Sequence, residues 1–208
     1  MRVERGSLGY EDTSTSSAHA YLLPAVRRHL ARSAARSGCR RVFDLGCGNG
    51  SVAAAFSAEG YHVQGVDPSA EGIARANRRW PDLELSVGDC YEDLAGRFGT
   101  FPTVLSLEVV EHVYSPRRYA ATLRALVGDR GTAIVSTPYH GYWKNLALAV
   151  TGRFDRHFTA LWEGGHIKFW SIATLRALLL DAGFTEVSFE RVGRIPPLAK
   201  AMIAVARA

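Results

Sequence analysis

Lysine is scarce in this sequence. Only Lys144, Lys168 and Lys200 are present, against 22 arginines. The net charge of +5 therefore rests on arginine, spread as Arg27, Arg28, Arg32, Arg36, Arg75, Arg78 and Arg79 along helical stretches. That scatter describes solvated faces. No basic motif interleaved with aromatics appears, so nucleic acid is not an expected partner. Cysteine is nearly absent too. Cys39, Cys47 and Cys90 make no CxxC pair and no disulfide framework, which points to a reduced, cytoplasmic setting. No apolar run approaches the roughly 20 residues of a bilayer span. The N-terminus has no apolar core of a signal peptide. What remains is ordinary globular composition, 47% hydrophobic and 22% charged over 208 residues. That length suits one domain, 1–208, burying about 70% of its unfolded surface.

Residues 1–17 are polar, and Ser16 or Ser17 offers a helix cap. Residues 18–37 repeat Tyr21, Leu22, Ala25, Val26, Leu30 and Ala34 at helical spacing, with Gly38 as the stop, so 1–38 reads as an N-terminal helical cap. His19 and Tyr21 could reach a pocket, and local packing is the favoured expectation. Strands and helices then alternate. Strands are predicted at 41–45, 61–66, 83–87, 103–107, 132–136, 186–191 and 201–206. Helices are predicted at 51–59, 69–79, 116–127 and 174–182. This rhythm predicts an α/β fold: a Rossmann-like, mostly parallel seven-stranded sheet with helices on both faces. The last two strands, joined across Pro196-Pro197, lack room for a crossover helix and should pair antiparallel.

Residues 139–165 break the rhythm. They carry Tyr139, His140, Tyr142, Trp143, Phe154, His157, Phe158 and Trp162. A long aromatic connection in a compact domain reads as an insertion or lid over a site, or as a contact layer. Within it, residues 146–150 add apolar surface suited to peripheral membrane contact or to a second subunit. Tyr139, Tyr142, Trp143 and Trp162 are candidate substrate residues. Both monomer and homodimer remain open.

Chemistry collects at the carboxyl ends of the strands, where open α/β sheets bind ligands. The first strand ends in Asp44-Leu45-Gly46-Cys47-Gly48-Asn49-Gly50, a turn whose glycines allow positive φ and close ligand approach. The second ends at Asp67-Pro68, 17 residues beyond Gly50, near the spacing at which an acid meets ribose hydroxyls. Asp89-Cys90 follows the third strand and Leu107-Glu108 ends the fourth. GxGxG is not the GxGxxG of dinucleotide sites.

Asp-Leu-Gly-Cys-Gly-Asn-Gly resembles the first motif of class I S-adenosylmethionine-dependent methyltransferases. Val66-Asp67-Pro68-Ser69 resembles their ribose motif, and Gly88-Asp89-Cys90 their adenine turn. The resemblance implies S-adenosylmethionine as cofactor. Asp44, Gly46, Gly48 and Gly50 would lie by its methionine end, Asp67 and Pro68 by the ribose, and Asp89 and Cys90 by the adenine. Leu107 and Glu108 complete the cofactor set.

Glu108-Val109-Val110-Glu111-His112 resembles a segment of the ubiquinone-biosynthesis O-methyltransferases, which implies a phenolic acceptor and a divalent metal. Read as a helix, 108–112 puts Glu108, Glu111 and His112 on one face. Oxygen-rich ligation of that kind favours Mg²⁺ or Mn²⁺. The alternative is that Glu111 and His112 brace the cofactor pocket without a metal. His140 and His166, both expected at the active edge, join His112 as candidate bases. Tyr139-His140-Gly141-Tyr142-Trp143 departs from the quinone enzymes. A sugar hydroxyl or an amine therefore stays open beside a phenol. A nucleoside-binding module without catalysis is the competing class.

Overall fold

The computed structural model describes residues 19–158, 160–161 and 165–208. Ser16, Ser17 and Trp162, named above, lie outside them. Seven strands form one sheet: β1 (Arg41–Leu45), β2 (His62–Asp67), β3 (Glu84–Val87), β4 (Phe101–Leu107), β5 (Val127–Pro138), β6 (Glu186–Val192) and β7 (Ala201–Arg207). Their order is β3-β2-β1-β4-β5-β7-β6. The first five run parallel. Strand β7 enters antiparallel between β5 and β6, as the short Pro196-Pro197 connection requires. The strand order reverses between β1 and β4, which opens a crevice at their carboxyl ends.

The helices are α1 (His19–Ser37), α2 (Ser51–Ala58), α3 (Ala70–Arg79), α4 (Leu94–Phe98), α5 (Pro116–Leu126), α6 (Tyr142–Val150), α7 (Phe154–Phe158) and α8 (Ile172–Asp181). Side chains along a strand point alternately to opposite faces. Phe43, Ala133 and Val135 therefore enter one core with Leu123 and Leu179, while Val42 and Ile134 enter the other with Leu22, Leu30 and Phe56. Both sheet faces are covered, which is why the central strands read as continuous apolar runs. The Phe43 ring packs against Phe98 and Phe101 at 5.3 and 5.0 Å between centroids. Burying a side chain of that size contributes about 1.5–3 kcal/mol.

Local chemistry sets the element ends. The Ser69 hydroxyl accepts the Gly72 N–H and starts α3. Ser171 and Thr174 form a reciprocal cap at α8. The structure differs from the sequence expectation in element bounds and content. Strand β5 begins at Val127, not Thr132, because Val127 pairs with Phe101 ahead of a polar, glycine-bearing stretch that reads as a turn. Helix α4 has too few residues for a period to show, and Asp93 caps it through the Gly96 N–H. The 139–165 segment holds two helices, α6 and α7.

Candidate active site

A cavity of about 690 Å³ opens at the carboxyl ends of β1, β2 and β4. The β1–α2 turn forms its floor. Gly46 and Gly50 take φ 87° and 77°. At Gly46 a Cβ would strike the Val109 side chain, and at Gly50 it would lie 2.8 Å from Leu85. Only glycine fits both the dihedral and the space. Gly48 N–H donates to Asp67 Oδ2 at 2.9 Å, and Ser69 N–H donates to Oδ1 at 2.9 Å. Two backbone donors thus aim the acid at the end of β2, and each oxygen keeps a further lone pair for a ligand hydroxyl.

The expected cofactor residues gather here. Asp44, Gly46, Gly48, Asp67, Pro68, Asp89, Cys90, Leu107 and Glu108 all line the cavity. Gly50 stands behind the turn, against Leu85 and Ala76. Asp89 Oδ1 accepts the Tyr91 N–H and shapes the third loop. His19 also lines the cavity, and Tyr21 lies close enough to Glu108 and Glu111 for their charges to raise its pKa after burial. Of the two readings open for them, local packing was favoured and the pocket is what the structure shows for His19. The start of α1 thus reaches the site, a contact that helical spacing alone does not select.

The acids suit a cationic ligand. Asp44 is 2% exposed, and burial, then Asp67 beside it, pushes its pKa to about 7. Burial raises Asp67 as well, partly offset by the Ser69 and Gly48 N–H groups. Two crowded carboxylates disfavour one another's charge, and a ligand bearing an ammonium or sulfonium would favour both.

Glu108 to Val113 is not a helix. Strand β4 ends at Leu107, Glu108 takes φ 57°, and the His112 N–H closes a turn on Val109 O at 2.9 Å. Ser136 fixes Glu108: its hydroxyl donates to Oε1 at 2.8 Å and accepts the Glu108 N–H at 3.0 Å. Burial holds the Glu108 carboxyl at about 7. The expected trio of Glu108, Glu111 and His112 is therefore regrouped. Among the described residues, Glu111, His112 and His166 bring their ligand atoms within 4.8 Å of one another.

Residues 165–170 make that regrouping. Ile167 and Lys168 N–H both donate to Glu111 O, at 2.9 and 3.0 Å. Trp170 Nε1–H donates to Val110 O at 3.0 Å. His112 Nδ1 lies 3.1 Å from Gly165 O. A carbonyl only accepts, so Nδ1 carries the proton and, in the neutral ring, Nε2 carries none. The His112 and His166 rings meet edge to face at 4.9 Å. His166 Nε2 stands 4.0 Å from Glu111 Oε1. Burial, then His112, lowers His166 to about 4.

Glu111 is 1% exposed, and neither of its oxygens has a hydrogen-bond partner. Burial, then Glu108, raises its pKa well above the carboxylate range. An orphaned buried carboxylate beside two imidazoles fits a divalent cation. Two nitrogens and one carboxylate suit Mn²⁺, Fe²⁺ or Zn²⁺ better than the expected Mg²⁺.

His140 is not a member of this trio, although it lies near enough to His166 to feel its charge. It is buried, stacked on Phe158 at 5.8 Å and edge-on to Phe169 at 5.1 Å. Burial, then Lys144, lowers it to about 4. It is not among the cavity-lining residues. Tyr142 and Trp143 pack on each other at 5.2 Å, both strongly exposed on α6. Arg191 sits over the Tyr139 ring at 5.8 Å.

Strand order, glycine turn and ribose-type acid define the class, an α/β domain of the S-adenosylmethionine-dependent methyltransferase kind. Comparison with known proteins agrees. A family model described as a methyltransferase domain matches residues 17–188, and the chain belongs to that family. It is 34% identical over 138 residues to the ubiquinone biosynthesis O-methyltransferase of Bradyrhizobium sp. (strain ORS 278), covering 64% of this chain and 54% of that one. It is 32% identical over 164 residues to the enzyme of that name from Azorhizobium caulinodans, covering 75% and 63%. The match thus spans little more than half the length of the first of these relatives. Among solved structures, the PH0226 protein from Pyrococcus horikoshii OT3 superposes with a TM-score of 0.71 at 18% identity, covering 98% and 96%. Magnesium protoporphyrin IX methyltransferase from Synechocystis PCC 6803, solved with bound SAH, superposes with a TM-score of 0.64 at 21% identity, covering 88% and 82%.

Proposed function

We propose that this chain transfers a methyl group from S-adenosylmethionine to a hydroxyl oxygen of a small molecule. The observation that carries the oxygen assignment is Glu111. It is a buried carboxylate with no hydrogen-bond partner, held beside His112 and His166 at the end of β4. A hydroxyl is a weak nucleophile until it loses its proton, so an oxygen acceptor needs such a group.

S-adenosylmethionine, when bound, supplies an electrophilic methyl carbon on a sulfonium. Asp67 accepts hydrogen bonds from ribose hydroxyls with the lone pairs that Gly48 and Ser69 leave open. Asp44 stabilises positive charge on the donor. His112, its Nδ1–H turned to Gly165 O, presents Nε2 to the acceptor side and takes the hydroxyl proton. The imidazolium so formed favours the ionised form of Glu111, and the resulting pair is stabilised by their opposite charges. A divalent cation, when bound, would lower the pKa of a coordinated hydroxyl. Glu111, His112 and His166 are the residues that would hold it, with His112 Nε2 then a ligand and no longer the base. Helices α6 and α7 cover the acceptor side as a lid within a single domain. Positioning supplies the remainder, because the donor is already activated.

The named relatives support a phenolic acceptor. The test is a labelled-methyl assay against panels of phenols, sugars and amines, with and without EDTA. Transfer to amines alone would overturn the oxygen assignment. Full activity in EDTA would remove the cation.

A further inference from the structure

Lys144 stands in the first turn of α6 as a half-buried cation. Its Nζ donates to Tyr139 O at 2.9 Å. An ammonium carries three donors. Among the described residues Lys144 makes no second hydrogen bond and no ion pair, so most of its donor capacity is unused.

Charged and titratable groups face Lys144 from each neighbouring segment. Glu108 lies towards it at the end of β4, His166 in residues 165–170, His140 after β5, His157 on α7 and Arg194 between β6 and β7. Glu108 is the acid among them, and it is already bonded to Ser136. Burial, then Arg194, lowers the Lys144 pKa, and Glu108 offsets this only in part. Arg194 likewise forms no ion pair among the described residues. Helix α6 adds to the same sign. Gly141 caps it with no side-chain acceptor, and its first turn carries no acid. The start of a helix is its positive pole, so a lysine there is unfavourable for the helix itself.

Tying α6 to Tyr139 O does not require a charge. A neutral amide side chain would make that bond without half-burying a cation beside an arginine. What the charge adds is attraction for an anion. Glu108 lines the cavity and His166 belongs to the group around Glu111, so an anion at Lys144 lies next to both. Lys144 itself does not line the cavity, which argues against the carboxylate of the methyl donor as its partner. One carboxylate offers two oxygens, a match for the open donors of Lys144 and the guanidinium of Arg194.

We infer that the methyl acceptor is a hydroxy acid, its carboxylate held by Lys144 and Arg194 and its hydroxyl turned to the group around Glu111. This rests on the methyl-transfer reading and names the class of acceptor within it. Lys144 is then the residue that selects an acid over its neutral analogue.

The experiment compares hydroxybenzoates, dihydroxybenzoates and a hexuronate, each with its own primary amide, in the labelled-methyl assay. The amide keeps the shape and removes the charge. For the acceptor series, kcat/KM should favour the acid about tenfold or more. In Lys144→Met the kcat/KM for the acid should fall to that of the amide, through KM and not kcat. Lys144→Arg keeps the charge and should restore the preference. As pH rises through the lowered pKa of Lys144 the preference should fade, whereas Lys144→Arg should hold it to higher pH. Binding of S-adenosylhomocysteine checks the fold of each variant, and the comparison of acid with amide needs no variant. Equal kcat/KM for acids and amides would overturn the inference. So would a preference that survives in folded Lys144→Met. If no compound is methylated, the functional reading fails, and calorimetry with the same acids on the S-adenosylhomocysteine-loaded chain decides the site alone. Acid binding that Lys144→Met abolishes would sustain it; no acid binding, or equal binding of the amides, would overturn it.

Discussion

Gly48 N–H donates to Asp67 Oδ2 across 2.9 Å, joining the turn after β1 to the acid that ends β2. One hydrogen bond thus links the two motifs of the proposed donor site. Asp67→Asn keeps an acceptor but loses the charge. Hydrogen bonds to a charged group contribute about 1.5–3 kcal/mol, so affinity for S-adenosylhomocysteine should fall about 10- to 150-fold. Calorimetry reads this directly, and unchanged affinity would place the ribose elsewhere.

Gly46→Ala tests the turn itself. Alanine at φ 87° with Val109 against its Cβ should cost about 1–3 kcal/mol of stability. Chemical denaturation of the apo chain measures it. A cost near zero would mean that the turn can relax, and that close packing on Val109 is not what requires glycine.

Asp44 makes donor binding pH-dependent. Its carboxyl titrates near pH 7 in the folded apo chain. A cationic ligand favours the ionised form, so binding below that pH expels a proton. Affinity should rise with pH up to about 7 and level off above it. For stability the sign is the reverse. The folded pKa lies above the unfolded value of 3.8, so the folded chain holds the proton longer, and this group costs stability as pH climbs from about 4 to about 7. Asp44→Asn should therefore raise the apo melting temperature more at pH 8 than at pH 5.

His140 titrates the other way. Its folded pKa of about 4 lies below the unfolded 6.5, so its contribution is intact above pH 6.5 and is lost as pH falls towards 4. His140→Phe preserves stacking on Phe158 and removes this acid sensitivity. It should also keep methyl transfer, whereas His112→Ala lowers turnover on the order of a hundredfold. Melting curves across pH, with turnover at neutral pH, separate the two histidines. Loss of transfer in His140→Phe would return His140 to the chemistry.

Glu111→Gln tests the cation. The amide cannot supply the charge, so Mn²⁺ or Zn²⁺ binding should weaken at least about tenfold while S-adenosylhomocysteine affinity holds. Titration of the apo chain with each metal salt provides the comparison. Equal metal affinity in the variant would exclude Glu111 as a ligand.

The cavity at the carboxyl ends of the strands was legible in the sequence because its determinants are local. Glycines at 46, 48 and 50 specify a turn, and Asp44, Asp67 and Asp89 follow from strand ends that apolar runs announce. Strand number and the antiparallel C-terminal pair follow from the same runs and from one short connection. Only the tertiary structure decided the grouping around Glu111. Residues 165–170 bond to the 110–112 turn and carry His166 to Glu111 and His112, while Ser136 takes Glu108 out of the group. His19 arrives from the far end of the chain, and His140 is turned into an aromatic stack. Such pairings depend on contacts between residues dozens of positions apart, and no spacing along the chain encodes them.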